Sequence, residues 1–188
     1  MGMGTAAPHY YTAEMVRALN AAEPQHWPRY ETVYGELLVT TAPRWWHQEI
    51  VKRLAVSLEL YLRRERVGHP VISPSEVSWT PDVLVQPDVF VVPIEQARSL
   101  DWTQAKTLLL AVEVLSPSTA RADRFTKRKL YQQQGVALYW IVDGDDCSVE
   151  VWTPDAIFPR VERERLEWHP AGAREPFVLP LGELFAPV

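Results

Sequence analysis

Hydrophobic and polar residues along this chain repeat with two periods, one helical and one strand-like. From Thr12, the apolar residues Met15, Val16 and Leu19 share one face of a short helix. Residues 30–40 alternate as a strand with Gly35-Glu36 at its centre. Pro43 then opens a long helix over residues 45–66, in which Ile50, Leu54, Leu58, Tyr61 and Leu62 form a stripe suited to covering a sheet. Three strands are predicted next, over 71–79, 87–92 and 107–115, parted by Ser73-Pro74-Ser75 and Thr80-Pro81. Ser116-Pro117-Ser118-Thr119 breaks the third strand and supplies hydroxyls to cap a helix that runs to Gln134 and stops at Gly135. Residues 136–142 read as another buried strand and 148–152 as an edge strand, while 161–167 and 177–184 add one strand and a terminal helical turn. This order predicts an α/β domain with a mixed β-sheet flanked by helices and additional β-strands outside it. Residues 1–11 read as a flexible lead and 12–188 as a single domain.

Two acids interrupt the apolar rhythm. Asp88 lies in Val83-Leu84-Val85-Gln86-Pro87-Asp88-Val89-Phe90-Val91-Val92, and Glu113 in Leu108-Leu109-Leu110-Ala111-Val112-Glu113-Val114-Leu115. A carboxylate buried in such a run costs several kcal/mol, on the order of the desolvation penalty for a single ion, unless a cation or hydrogen bonds offset it. Two of them on neighbouring strands suggest a divalent metal site. On the helix that follows, Lys127 shares a face with Asp123, Leu130, Tyr131 and Gln134, which should look toward the sheet, whereas Lys129 points away. The chain has only four lysines, Lys52, Lys106, Lys127 and Lys129, so one on an inward face calls for an explanation. Metal-assisted phosphodiester hydrolysis uses this set: carboxylates hold one or two ions that lower the pKa of a bound water, and an ammonium orients that water or stabilises the transition state. The bland alternative is a buried ion pair of Glu113 with Lys127 or an arginine. A two-carboxylate glycoside hydrolase fits poorly, because it leaves the inward lysine without a role.

Composition narrows the choices. With 188 residues, 47% hydrophobic and 23% charged, the chain has the proportions of one globular core. No apolar run approaches the ~20 residues of a membrane span, and residues 1–7 lack the pattern of a signal peptide, which predicts a soluble cytoplasmic protein with no membrane partner. The single cysteine, Cys147, excludes an internal disulfide or a cysteine-based zinc site, and the five histidines show no paired spacing. Any metal is therefore expected to be oxygen-bound, which favours Mg2+ or Mn2+. A net charge of -5 argues against non-specific coating of nucleic acid but not against a focused site. Arg121, Arg124, Lys127, Arg128 and Lys129 crowd after Glu113, either as part of such a site or as a solvated helix face. Eight tryptophans leave room for an aromatic patch; on one face with the expected edge strand it would pair two copies into a homodimer.

Tyr34-Gly35-Glu36-Leu37, Pro87-Asp88-Val89, the block Glu113-Val114-Leu115-Ser116-Pro117-Ser118-Thr119, Asp123 with Lys127 and Tyr131, Gly135-Val136 and Tyr139-Trp140-Ile141-Val142-Asp143 together resemble the Uma-two family of restriction-endonuclease-like proteins, within the PD-(D/E)XK nuclease superfamily. The resemblance covers about residues 30–152 and implies a restriction-endonuclease-like fold acting as a metal-dependent DNA endonuclease. It assigns Asp88 and Glu113 as metal-binding acids. Leu115 stands where the superfamily motif carries its lysine, and the resemblance gives that role to Lys127 on the following helix. Glu36 is implied as an auxiliary metal ligand, against the reading of an exposed strand glutamate, and His47 as an acid, a base or a phosphate-bonding group, against that of a helix-start histidine bonding a neighbour. The rival function is a catalytically silent interaction or regulatory module that retains the acids for stability. The acidic charge favours that rival; the acid, acid, lysine set favours the enzyme.

Overall fold

A computed structural model describes residues 9–25, 27–99 and 105–188. The order of elements is α1 (Ala13–Ala22), β1 (Arg29–Val33), β2 (Glu36–Thr40), α2 (Trp45–Glu65), β3 (Gly68–Ile72), β4 (Val89–Pro93), α3 (Ile94–Arg98) and β5 (Leu110–Val114). A helix α4 follows in two parts, a π-helical one (Ala122–Lys127) and an α-helical one (Arg128–Gln133). The chain ends with β6 (Tyr139–Asp143), β7 (Ser148–Trp152), β8 (Arg160–Glu162), β9 (Arg165–Trp168), β10 (Phe177–Pro180) and α5 (Leu181–Leu184).

Six strands form one mixed sheet in the order β3-β4-β5-β6-β7-β8. All neighbours are antiparallel except β5 and β6, which α4 connects as a parallel crossover. The period of two along each strand divides the side chains between two apolar layers. Val89, Val91, Leu110, Val112 and Val114 pack beneath α2, whose Ile50, Leu54, Leu58, Tyr61 and Leu62 are all buried, as the helical stripe predicts. The β9–β10 hairpin and α5 extend that layer with Leu166, Trp168, Phe177 and Leu181. On the opposite face, Phe90, Val92, Ala111, Tyr139 and Ile141 pack with Leu130 and Tyr131 of α4 and Val33 of β1.

Local chemistry sets several boundaries. The Thr12 hydroxyl accepts a hydrogen bond from the Met15 amide and starts α1. Arg66 ends α2 in the left-handed region, and Arg63 and Arg64 complement the helix dipole in its last turn. The strand expected over 30–40 is instead a hairpin: Tyr34 and Gly35 both have positive φ, and a two-residue turn of that kind reverses the chain. The expected edge strand Ser148–Trp152 is internal, because β8 pairs with its outer side, and Trp152 is buried. The aromatic edge on which a homodimer was expected is thus covered. The strand expected over 161–167 divides into β8 and β9 of different sheets, and that over 71–79 ends at Ile72. Of the expected flexible lead, residues 1–8 lie outside the described residues, whereas Tyr10 donates to Asp82 and the Tyr11 amide to the Gly35 carbonyl. No helix among the described residues is long and apolar enough to cross a membrane.

The α2–sheet layer is the main apolar contact, so Leu54→Ala, at a fully buried position, is expected to cost about 2–5 kcal/mol. Val56→Ala, on the exposed side of the same helix, is expected to change stability by less than about 0.5 kcal/mol. Urea denaturation of the two variants measures the contrast.

Candidate active site

The register of the sheet brings the two strand acids together. Val89 of β4 pairs with Val112 of β5, so one further step places Asp88 level with Glu113. Asp88 shares a strand face with Phe90, and Glu113 with Ala111, so both look toward the side that α4 covers. The Val114 amide donates to Asp88 Oδ2 at 2.9 Å, which ties the acid to the neighbouring strand. Asp88 sits at the strand mouth with its side chain 17% exposed, while Glu113 is deeper at 5%.

Lys127 turns inward from the π-helical part of α4 and is buried, whereas Lys129 is exposed, as the helical wheel predicts. Its Nζ lies 3.0 Å from Glu113 Oε1, 2.8 Å from Glu31 Oε2 and 3.6 Å from Asp123 Oδ1. Tyr131, one step further along the helix, donates its hydroxyl to the same Glu113 Oε1 at 2.9 Å. Both bonds fall on one oxygen, so among the described residues Glu113 Oε2 has no hydrogen-bond donor, and neither has Asp88 Oδ1. Glu31 is fixed at its other end by the Gln86 amide, 2.6 Å from Oε1. His47 approaches from the first turn of α2, its Nε2 3.2 Å from Asp88 Oδ2. Glu31, His47, Asp88, Glu113 and Lys127 line one cleft, together with Trp27, Arg29, Gln86 and the hydroxyl residues Thr41, Ser116 and Thr119, while Asp123 and Tyr131 lie behind its lining. Two buried polar atoms in it, Gln86 Oε1 and His47 Nδ1, have no partner, and neither has Asp123 Oδ1 beneath Lys127.

Charge is unbalanced here. Four carboxylates, Glu31, Asp88, Glu113 and Asp123, surround one ammonium and one imidazole. Burial works to lower the Lys127 pKa, but Glu113, Glu31 and Asp123 outweigh it and hold the amine protonated. Burial raises Glu113 well above the usual carboxylate range, with Lys127 opposing the shift and Asp123, Asp88 and Glu31 adding to it. Burial likewise raises Asp123 to about 6, against the pull of Lys127. For His47, burial acts to lower the pKa, and the hydrogen bond and charge of Asp88 overcome it, so the imidazole titrates above its usual range. Tyr131 is pushed far up by burial and the charge of Glu113, and it remains a neutral donor. Fully ionised, these acids would outnumber the nearby cations, and the raised pKa values of Glu113 and Asp123 reflect that crowding, which a bound cation would relieve. Among the described residues, no three His, Cys, Asp or Glu side chains are grouped to hold a metal ion, so the protein offers oxygens rather than a closed cage.

Of the residues singled out in the sequence, Asp88, Glu113, Lys127 and His47 meet in this cleft and Glu36 does not. Glu36 is exposed at the start of β2 and borders a separate depression with Tyr34, Phe125 and Lys129. The acid that β1 supplies is Glu31, which the sequence reading passed over. The one trace of it in the sequence is its phase with Val33, which is buried on the α4 side, in a strand too short and mixed for that phase to stand out. Gln86, a polar residue inside an apolar run, was also overlooked.

Comparisons with known proteins bear on the family and the fold. A family model described as "Uma2: Putative restriction endonuclease" matches residues 14–175. The fold is similar to a crystal structure described as a putative nuclease belonging to DUF820 from Anabaena variabilis ATCC 29413, with a TM-score of 0.74 and 20% sequence identity over 94% of this chain and 98% of that one. Among curated proteins none matches.

Lys127→Met leaves several buried acids without their cation and is expected to destabilise the fold by about 3–5 kcal/mol, read from urea denaturation. Asp123 binds its proton more tightly folded than unfolded, so its contribution to stability is greatest below the usual pKa of 3.8 and falls as pH rises toward about 6. Asp123→Asn should remove that loss. Stability curves of the two proteins from pH 4 to 7 are expected to diverge as pH increases, with the variant losing less.

Proposed function

Since the chain belongs to the Uma2 family of restriction-endonuclease-like proteins, we propose that it is a metal-dependent endonuclease that hydrolyses DNA phosphodiester bonds, with Asp88, Glu113 and Lys127 at its centre. The observation that carries this reading is the surplus of buried carboxylates around a single lysine, with one oxygen of Asp88 and one of Glu113 left without a donor. These two carboxylates are the residues that would hold Mg2+ or Mn2+, and their hard oxygens suit either ion. When bound, the ion supplies a water of lowered pKa and offsets charge developing on the phosphate. Mg2+ keeps several waters and takes substrate phosphate oxygens into its shell, so two protein carboxylates would suffice to hold it.

The protein's own groups divide the remaining work. Lys127 is held protonated, so it acts as a positive charge and donor near the reacting phosphate and not as a base. Glu31 and Glu113 both contact it, which keeps the ammonium in the cleft. Tyr131 fixes the rotamer of Glu113 by occupying Oε1. His47 braces Asp88 through Nε2. Gln86, whose buried Oε1 has no partner, lies in the cleft lining beside Glu31, to which its amide donates.

A second reading is a catalytically silent module in which the same acids merely balance Lys127; the lack of a preformed three-ligand group favours it. Calorimetry with Mg2+ and Mn2+ on the wild type and Glu113→Gln, beside nicking of supercoiled plasmid, separates the two. The nuclease reading expects metal binding and metal-dependent nicking by the wild type, both lost in a normally folded Glu113→Gln. A wild type that neither binds metal nor nicks the plasmid returns the silent module.

A further inference from the structure

We infer that the cleft takes an unpaired DNA strand, a base stacking on Trp27 and the adjoining phosphate meeting Arg29. This rests on the nuclease reading and narrows its substrate.

The acids are recessed. The side chains of Glu113 and Lys127 are 5% and 4% exposed, so a phosphate reaches them only by descending between two loops. One loop precedes α2 and the other follows β5, and they touch across the cleft, Thr41 Oγ1 lying 3.4 Å from Ser118 Oγ. A duplex is stiff, with a persistence length of about 50 nm, and lowering one of its phosphates into a recess requires bending or unstacking. A single strand flexes at every nucleotide and makes that descent without such deformation.

Charge points the same way. Duplex binding draws its affinity from neutralising many phosphates at once. Here the net charge is -5, and among the described residues the cleft lining includes only Arg29 as a cation besides His47 and Lys127, which are engaged with Asp88 and the acid cluster. One arginine suits one phosphate of a strand threaded past it. Arg29 is held in place by a hydrogen bond to Ser73 Oγ and by the Trp27 ring, whose centroid is 4.5 Å from its guanidinium carbon.

Aromatic surface replaces the missing charge. Trp27 forms part of the cleft lining, and Trp45 stands 65% exposed two residues before His47. Stacking of a base on an aromatic ring contributes about 1–3 kcal/mol and is indifferent to sequence. It requires a base face that a duplex keeps hidden among its neighbours.

The test uses the full chain with Mn2+ and four labelled substrates of one sequence: a single DNA strand, its blunt duplex, a duplex carrying a single-stranded flap, and the RNA strand. The single DNA strand and the flap are expected to be cut at least tenfold faster than the blunt duplex. Trp27→Ala, checked for folding by circular dichroism, is expected to raise KM for the single strand about tenfold, and Trp27→Phe to restore it. A blunt duplex cut as fast as the single strand overturns this inference and leaves the nuclease reading standing, and so does RNA cut in preference to DNA. No cleavage of any substrate, with no metal binding, overturns both.

Discussion

A single buried ammonium holds the centre of this protein together. Lys127 contacts acids from β1, β5 and its own helix, so three elements distant in sequence meet at one nitrogen. Placing so many ionised groups away from water costs several kcal/mol per ion, on the order of what a whole domain has to spare. Two of the three acids are also bonded elsewhere: Glu31 by the Gln86 amide, Glu113 by the Tyr131 hydroxyl. A cluster built for stability alone is better served by apolar packing. The retained imbalance of charge is therefore the part of the structure that asks for a ligand.

The sheet does the positioning and the helices do the tuning. Antiparallel pairing of β4 with β5 sets Asp88 level with Glu113, and the parallel step from β5 to β6 forces the chain to cross over through α4, which carries Lys127 back above Glu113. On the other face, α2 is anchored by its apolar stripe and brings only its first turn to the site, where His47 meets Asp88. Two independently packed layers thus converge at one end of the sheet.

Much of this was legible before any coordinates. The two acids stood out because strand periodicity makes a carboxylate in an apolar run conspicuous, and Lys127 separated from Lys129 because helical periodicity assigns them different faces. Other features were opaque for physical reasons. Glu31 lies in a short strand of mixed character where one acid among polar neighbours carries no contrast, and its importance arises from a partner 96 positions away. The 30–40 hairpin was read as one strand because the alternation continues through a turn that only positive φ at Tyr34 and Gly35 reveals. The edge of the sheet was misplaced because β8 is only three residues long, too short to impose a period.

The π-helical part of α4 carries a consequence beyond its ion pairs. In it the Arg128 amide reaches back to the Asp123 carbonyl, five residues earlier, which widens the turn between the two acid-contacting segments. Asp123, Lys127 and Tyr131, spaced four residues apart, all bear on the same cluster. Loss of a single residue from the α-helical part, between Lys127 and Tyr131, would rotate one of them against the other through about 100°. The spacing of the segment therefore matters to the site as much as its side chains do.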